Sequence, residues 1–349
     1  MRLEPRGPLS LVQTLLYPAT AILVAFVLTA LLVLASGASP FSVFYLVAKG
    51  AAGSSFAALE TLTRATPLIF TGLCAAVAFR AKLWNIGAEA QLYMGAVMTA
   101  ALGTGLLPWP PAILIPALML SAVLAGAVML LIPTLLKTRF GVDEVVTTLL
   151  INFIILLFVS LLLEGPLKDP MGLGWPQSKK VIAEAQLPRL IQGKRLHWGF
   201  VIALVAALAI WVIDKRTALG FEMRAVGHSP RAARFAGMPV TAVLLKTALL
   251  SGGLAGLAGF SEVAGLKGNL TLDLSPGFGY SGIVVAMLAM LHPLGVVAAA
   301  IFVAGVFVGA DAMSRAAGVP SYIAQVMVAL SLLCMVAALM LTRYRIKWR

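Results

Sequence analysis

Charge is what this sequence has least of. Only 11% of its 349 residues are charged, against roughly 25% in a typical soluble domain. Hydrophobic residues make up 61%, and the mean hydropathy is +1.00. No soluble core of this size hides so much apolar surface, which excludes an ordinary cytosolic enzyme, a disulfide-rich secreted domain and a disordered chain. Cysteine is nearly absent. Cys74 and Cys334 both lie in apolar runs, where a thiol behaves as a small hydrophobe, so neither a disulfide framework nor a metal site is expected. The three histidines, His197, His228 and His292, fall on different connections, and no HExxH, Cys/His cluster or GxSxG string occurs. That argues against a membrane-embedded hydrolase. A P-loop is missing too. The nearest candidate, Gly193-Lys194-Arg195, lacks the first glycine and the hydroxyl residue, so no ATPase site of that kind is expected in this chain.

What is present is a set of long uncharged stretches: 7–48, 90–136, 274–310 and 316–342 contain no Asp, Glu, Lys or Arg. A membrane helix needs about 20 mostly apolar residues. Breaking the apolar runs at Gly and Pro clusters predicts about ten spans, near 16–36, 66–79, 86–105, 111–136, 143–163, 197–213, 240–260, 279–291, 293–310 and 321–341, with 42–58 also semi-apolar. The expected fold class is therefore an all-α integral membrane protein, one transmembrane domain over 1–349, with some short or broken helices. The first apolar run, Leu9 to Ala35, is too long for a signal-peptide core and reads as a retained helix.

The net charge of +13 would suggest nucleic acid in a soluble protein. Here it reads as orientation: Lys and Arg gather at cytoplasmic span ends, and no nucleic-acid partner is expected. Placing both termini in the cytoplasm puts Arg80, Lys82, Lys137, Arg139, Lys215, Arg216, Arg224, Arg231 and Arg234 inside. It leaves the long connection 164–196 outside, either as a solvated loop or as a docking surface for an outer partner.

Two segments are specific. In the first, Pro67 to Phe79 is short for a span and leads through a basic turn to Trp84-Asn85-Ile86-Gly87-Ala88-Glu89-Ala90-Gln91. Asn85 reads either as an N-cap, with Glu89 in the favourable first turn, or, with Glu89 and Gln91, as part of a transport pathway beside a broken helix. A short apolar run, a polar turn at His292-Pro293 and a second helix recur late in the chain, hinting at an internal repeat. In the second, 214–239, Ser229 suits a cap, Pro230 the first helical position, and Gly237 and Pro239 a stop. The prediction is a helix of about two turns, Pro230 to Ala236, with Arg231 and Arg234 on one face and Phe235 one turn from Arg231. Gly220 and Gly227 bracket another piece, Phe221 to Val226. A helix pair this well delimited in a cytoplasmic loop reads as a docking element for a partner rather than a lipid-surface helix.

Here a resemblance enters. Arg231-Ala232-Ala233, three residues and then Gly237 resembles the EAA–x3–G coupling loop of ABC importer permeases, with Arg231 where glutamate is usual. LWNIGAEAQLYMGA (83–96), TRFGVDEVVTTLLINFI (138–154), EGPLKDP (164–170), LGFEMRAVGHSPRAARFAGM (219–238) and GYSGIVVAMLAMLHPLGV (279–296) are similar, in order and spacing, to the branch importing nucleosides, simple sugars and branched-chain amino acids. Within that branch, permeases of guanosine-type uptake are most similar. The resemblance implies alternating access in a bacterial inner membrane, an ABC ATPase carrying ATP and Mg, a second related permease and an extracytoplasmic binding protein. This chain itself would bind no cofactor. It implies ATPase coupling through Phe221, Arg224, Gly227, Ser229, Pro230, Arg231, Ala232, Ala233, Arg234, Phe235 and Gly237. The expected pathway residues are Asn85, Glu89, Gln91 and Asn152. The alternative, an ion-coupled carrier or channel, would be expected to bury acidic or histidine side chains deep in its spans, and none is expected mid-span here.

Overall fold

The computed structural model describes residues 2–5, 11–35, 37–317, 322–323, 326, 328–330, 333–334, 337–338 and 344–347. A short strand β1 (Arg2–Pro5) is followed by α1 (Leu11–Ala35), α2 (Pro40–Ala52), α3 (Ser55–Arg80), α4 (Ala88–Gly103), α5 (Pro111–Phe140) and α6 (Glu144–Glu164). Then come α7 (Gly199–Arg216), α8 (Ala218–His228), α9 (Pro230–Phe235), α10 (Val240–Phe260), α11 (Phe278–Leu288), α12 (Pro293–Ala317) and strand β2 (Tyr344–Lys347). A π-helical turn, Ser261–Lys267, prolongs α10. Strands β1 and β2 pair antiparallel, Arg2 opposite Lys347.

Among the described residues, five segments are long and apolar enough to cross a membrane: Ser55–Arg80, Pro111–Phe140, Glu144–Glu164, Val240–Lys267 and Pro293–Ala316. The pair Leu23–Ala35 and Pro40–Ala52, bent by 117°, is a sixth candidate. The spans expected at 86–105, 197–213 and 279–291 are helical, as α4, α7 and α11, but are not among those segments. The one expected at 321–341 lies largely outside the described residues. One expectation is overturned: 66–79 is not a short helix but the second half of α3, with 26 residues and Pro67 inside it. Glu60 and Arg64, ahead of the expected start at 66, sit on the same helix, and the Arg64 guanidinium lies 6.0 Å from the Phe278 ring centre. The hint of a repeat built on two short helices loses its first half.

The chain divides into two compact units, residues up to Thr61 together with those from Ile301 on, and Leu62–Ala300. In the first, Thr61 donates to the Ala51 carbonyl at 2.8 Å, and the rings of Phe26 and Phe44 lie 5.3 Å apart. Gly50 and Gly309 let α2 and α12 touch: a Cβ on Gly50 would fall 3.0 Å from the Gly309 Cα.

In the second unit α10 is the central helix, packed most extensively on α5 and then on α4. Its sequence SGGLAGLAG explains why. In lipid there is no hydrophobic drive to bring apolar helices together, so close backbone approach at small residues supplies the contact. A Cβ on Gly126 would sit 2.9 Å from the Gly256 Cα, and one on Gly259 would sit 2.6 Å from the Ala96 nitrogen. Side chains larger than hydrogen at these crossings would force the helices apart.

The connections of this unit gather in two sets. The ends of α3 and α7, helix α8 and the α11–α12 turn meet around Asp214. At the other set, residues 178–187 bond to Gly103, Ala264, Gly268 and Leu270. Alternating the spans by charge predicts the same two groups.

Candidate functional site

The segment 214–239 folds as the cap signals require, with one revision. Ser229, extended at φ −155°, accepts from the Ala232 nitrogen at 3.2 Å. Pro230 opens α9, and Gly237, at φ +82°, closes it; Met238 N–H returns to the Ala233 carbonyl at 3.0 Å. The preceding piece is longer than Phe221–Val226. It runs from Ala218 to His228 and is capped by Thr217, which accepts from the Gly220 nitrogen at 3.3 Å. Gly220 and Gly227 therefore do not bracket a helix but lie inside α8. Their reason is space: a Cβ on Gly227 would fall 3.1 Å from the Arg80 carbonyl carbon, and one on Gly220 2.7 Å from that of Asp214.

The two faces of this pair differ. Met223, Val226 and Ala233 are buried. Arg231, Ala232 and Arg234 are exposed, Phe221 is 57% exposed and Phe235 is 97% exposed. Arg224 points the other way. Its Nη1 reaches Asp214 Oδ1 at 2.9 Å, and the Asp214 carbonyl as well.

The four expected pathway residues are all buried at the turn that opens α4. The N-cap position belongs to Gly87, not Asn85. Asn85 instead bridges the turn: its Oδ1 accepts from Gly87 N at 3.0 Å and from Gln91 Nε2 at 2.9 Å. Its Nδ2 donates to Gln91 Oε1 at 3.0 Å and to Ser251 Oγ at 3.2 Å. Ser251 donates onward to the Cys74 carbonyl at 2.8 Å. The two amides thus satisfy one another in an apolar setting where an unpaired amide costs several kcal/mol.

Asn152, on α6, accepts from Ala90 N at 2.9 Å, and donates to the Ile86 carbonyl at 2.9 Å and to the Tyr280 hydroxyl at 3.1 Å. Glu89, 3% exposed, lies in the first turn of α4 and accepts from the Gly279 nitrogen of α11 at 2.6 Å. Its carboxylate thus sits at two helix N-termini at once, where both dipoles favour an anion. Gly279 permits this approach, since a Cβ there would meet the Glu89 Cα at 2.7 Å. Tyr280, 40% exposed, is the accessible end of the network. It stands in the GYSG string, but its sequence neighbourhood gives no sign that its hydroxyl meets Asn152.

Another buried carboxylate lies outside the expected site residues. Glu262, 2% exposed, lies in the π-helical turn, past the expected end of the span at 260. The continuous segment Val240–Lys267 carries it close to its C-terminal end, not mid-span.

The connection 165–198 is anchored, not loose. Val181 N–H bonds to the Gly268 carbonyl at 2.8 Å and Leu187 N–H to that of Ala264 at 2.8 Å; Val181, Ala185 and Leu187 are buried. Its tip is the exception, with Met171, Leu173 and Trp175 at 89%, 95% and 73% exposure. His197 is buried, accepts from Gly199 N at 3.1 Å, and burial holds its ring down to about 4. Among the described residues no group of three His, Cys, Asp or Glu side chains could hold a metal ion.

Comparison with known proteins places this architecture. Residues 57–342 match the family model described as the branched-chain amino acid transport system / permease component. The chain is 35% identical to the guanosine ABC transporter permease protein NupP of Bacillus subtilis, over 91% of this chain and 92% of that one. It is 32% identical to the glucose ABC transporter permease protein TsgB13 of Haloferax volcanii (99% and 93%), and 31% identical to the nucleoside ABC transporter permease protein NupB of Lactococcus lactis (91% and 89%). No solved structure matches the chain. A match across most of the chain, with the capped α8–α9 pair in place, leaves one assignment: the chain belongs to the branched-chain amino acid transport system permease family, as a membrane permease subunit of an ABC importer.

Proposed function

We propose that this permease carries a nucleoside, or a related small polar solute such as a simple sugar, inward across a bacterial cytoplasmic membrane. Motion comes from an ATPase subunit docked on α8–α9. A second related permease completes the path, and an extracytoplasmic binding protein delivers the solute. Support for the substrate class comes from the guanosine, nucleoside and glucose permeases among its relatives. The observation that carries the motor coupling is α9 itself, a helix capped at both ends that presents Arg231, Arg234 and the bare ring of Phe235 outward. The paired strands β1 and β2 support placing both chain ends on one side, the cytoplasmic side of the charge argument.

The pathway reading rests on helix length. Helix α11 has 11 residues, about 16 Å at 1.5 Å per residue, half of a hydrocarbon core about 30 Å thick. Its far end is tied to the basic cluster around Asp214. Its N-terminus, where Gly279 meets Glu89, therefore lies near mid-membrane in this topology. Broken helices whose ends meet at mid-depth are where transporters place their solutes. Glu89, Asn152 and Tyr280 offer a carboxylate, an amide and a phenol, a set suited to ribose or sugar hydroxyls and, through the Tyr280 ring, to a flat base. Asn85 and Gln91, closed on each other, hold the turn that presents them.

The test is a pull-down of the chain in mild detergent with identification of what accompanies it, beside a variant with Arg231, Arg234 and Phe235 changed to Ala. Uptake of labelled guanosine and glucose into proteoliposomes follows. An ATPase and a second permease recovered with the native chain, the ATPase lost from the variant, is the expected result. A chain that purifies alone and moves either solute without ATP would instead be an ion-coupled carrier.

A further inference from the structure

Asp214 is 2% exposed, at the last turn of α7, and it holds two guanidiniums. Arg224, from the docking pair, reaches Oδ1 at 2.9 Å. Arg80, the last residue of α3, reaches Oδ2 at 2.9 Å. Arg80 has a second hold: its other terminal nitrogen donates to the Leu291 carbonyl at 2.5 Å. That carbonyl belongs to the turn joining α11 to α12, where Met290 and Leu291 are at φ +51° and +62°. Neither is glycine, so the left-handed turn is a conformation that needs outside support. The Arg80 fork adds to the turn's own bonds, of which Leu291 N–H to the Ala286 carbonyl is 2.8 Å. A small cavity lined by Val77, Ile210, Met223, Leu291 and Pro293 lies beside the cluster.

The chain of contacts does not stop there. Leu291 follows α11, and the opposite end of α11 carries Gly279, whose N–H holds the Glu89 carboxylate. One short rigid helix thus joins the Asp214 cluster to the buried network at the start of α4.

We propose that Asp214 and Arg80 are positioning residues that transmit movement of the motor-docking helices to the α11–α12 turn, and through α11 to the Glu89–Tyr280 end of the pathway. The proposal rests on the ATPase-driven reading above. When the ATPase displaces α8, Arg224 carries Asp214 with it. Asp214 draws Arg80, Arg80 draws the Leu291 carbonyl, and α11 shifts as a unit. Lysine at position 80 keeps the charge but loses the planar two-nitrogen fork that holds Asp214 and Leu291 in one fixed geometry.

The readout is independent of which solute is carried. A cysteine is placed at Tyr280 in a Cys334→Ala background; Cys74 stays, being fully buried. The full complex with its ATPase is held with ADP or with ATP and vanadate, and the maleimide labelling rate of the new cysteine is measured. In the background, nucleotide is expected to change that rate about fivefold or more, the scale of ordinary coupling between sites. In Asp214→Asn and in Arg80→Lys, the ATPase still co-purifies but the change shrinks to within about twofold. Should Asp214→Asn fail to insert, Arg80→Lys decides, since it keeps the charge. A nucleotide response preserved in the inserted variants overturns the proposal. So does loss of the ATPase from them, which would make the cluster part of the docking surface only. If the background chain itself retains no ATPase, the motor-driven reading falls, and this proposal with it.

Discussion

Replacing Gly256 by alanine is the smallest test of how the central helices are held together. The glycine faces two neighbours. A Cβ there would press on the Ala122 carbonyl, with its carbon at 2.9 Å, and stand 3.4 Å from the Gly126 Cα. These are backbone atoms, so no rotamer change relieves the clash and α10 must move off α5. Overpacking of this kind costs about 1–3 kcal/mol, or roughly 5- to 150-fold in the folding equilibrium. Gly126→Ala strains the same crossing from the other side, its Cβ falling 2.8 Å from the Gly256 nitrogen. Once one substitution has separated the helices, the second meets open space. The double variant should therefore be more stable than the sum of the singles implies, by about 0.5–3 kcal/mol. Unfolding of the detergent-solubilised protein, for the native chain, both singles and the double, measures all four corners. Singles that unfold with the native protein, or strict additivity, would refute close backbone contact as the basis of packing.

Ser229→Ala removes the α9 cap, worth about 1 kcal/mol, and should weaken ATPase retention several-fold in a detergent pull-down, while Ser229→Asp retains it. Phe235→Ala should weaken retention more, without lowering the permease's own unfolding temperature, because the ring is 97% exposed. Asn85→Ala leaves the Gln91 amide and Ser251 without their partner, a cost of about 1–3 kcal/mol visible in unfolding. Tyr280→Phe leaves an Asn152 N–H without its acceptor, a cost of at most about 1–3 kcal/mol, and should raise the KM for solute uptake. For His197, burial lowers the ring to about 4 from an ordinary value of about 6.5. The unfolded ring takes up its proton first, so its contribution to stability is complete above pH 6.5 and is lost as pH falls toward 4, about 3 kcal/mol in all. Unfolding measured at pH 7 and pH 4.5 should show a smaller pH-dependent loss in His197→Asn than in the native protein.

The membrane class, most of the helices and the short capped helix α9 were legible in the sequence because each follows from a local rule. A run of apolar residues cannot stay in water, and a serine followed by proline, with a glycine seven residues on, defines a short capped helix whatever surrounds it. The family strings added the permease assignment. What the sequence left hidden depends on partners far along the chain. Glu60 and Arg64 look like a helix boundary in one dimension, and only packing shows α3 running through them. Gly220 and Gly227 look like helix breakers, yet they are spacers for backbones brought against them by the fold. Asn85 looks like a cap, and is half of an amide pair completed by Gln91 and by Ser251, 166 residues away. Asp214 gave no local signal at all, because a carboxylate between two guanidiniums from α3 and α8 exists only once three helix ends have been brought to one point. Local chemistry chose the elements, and the close approach of small residues on α4, α5 and α10 decided which polar groups would meet.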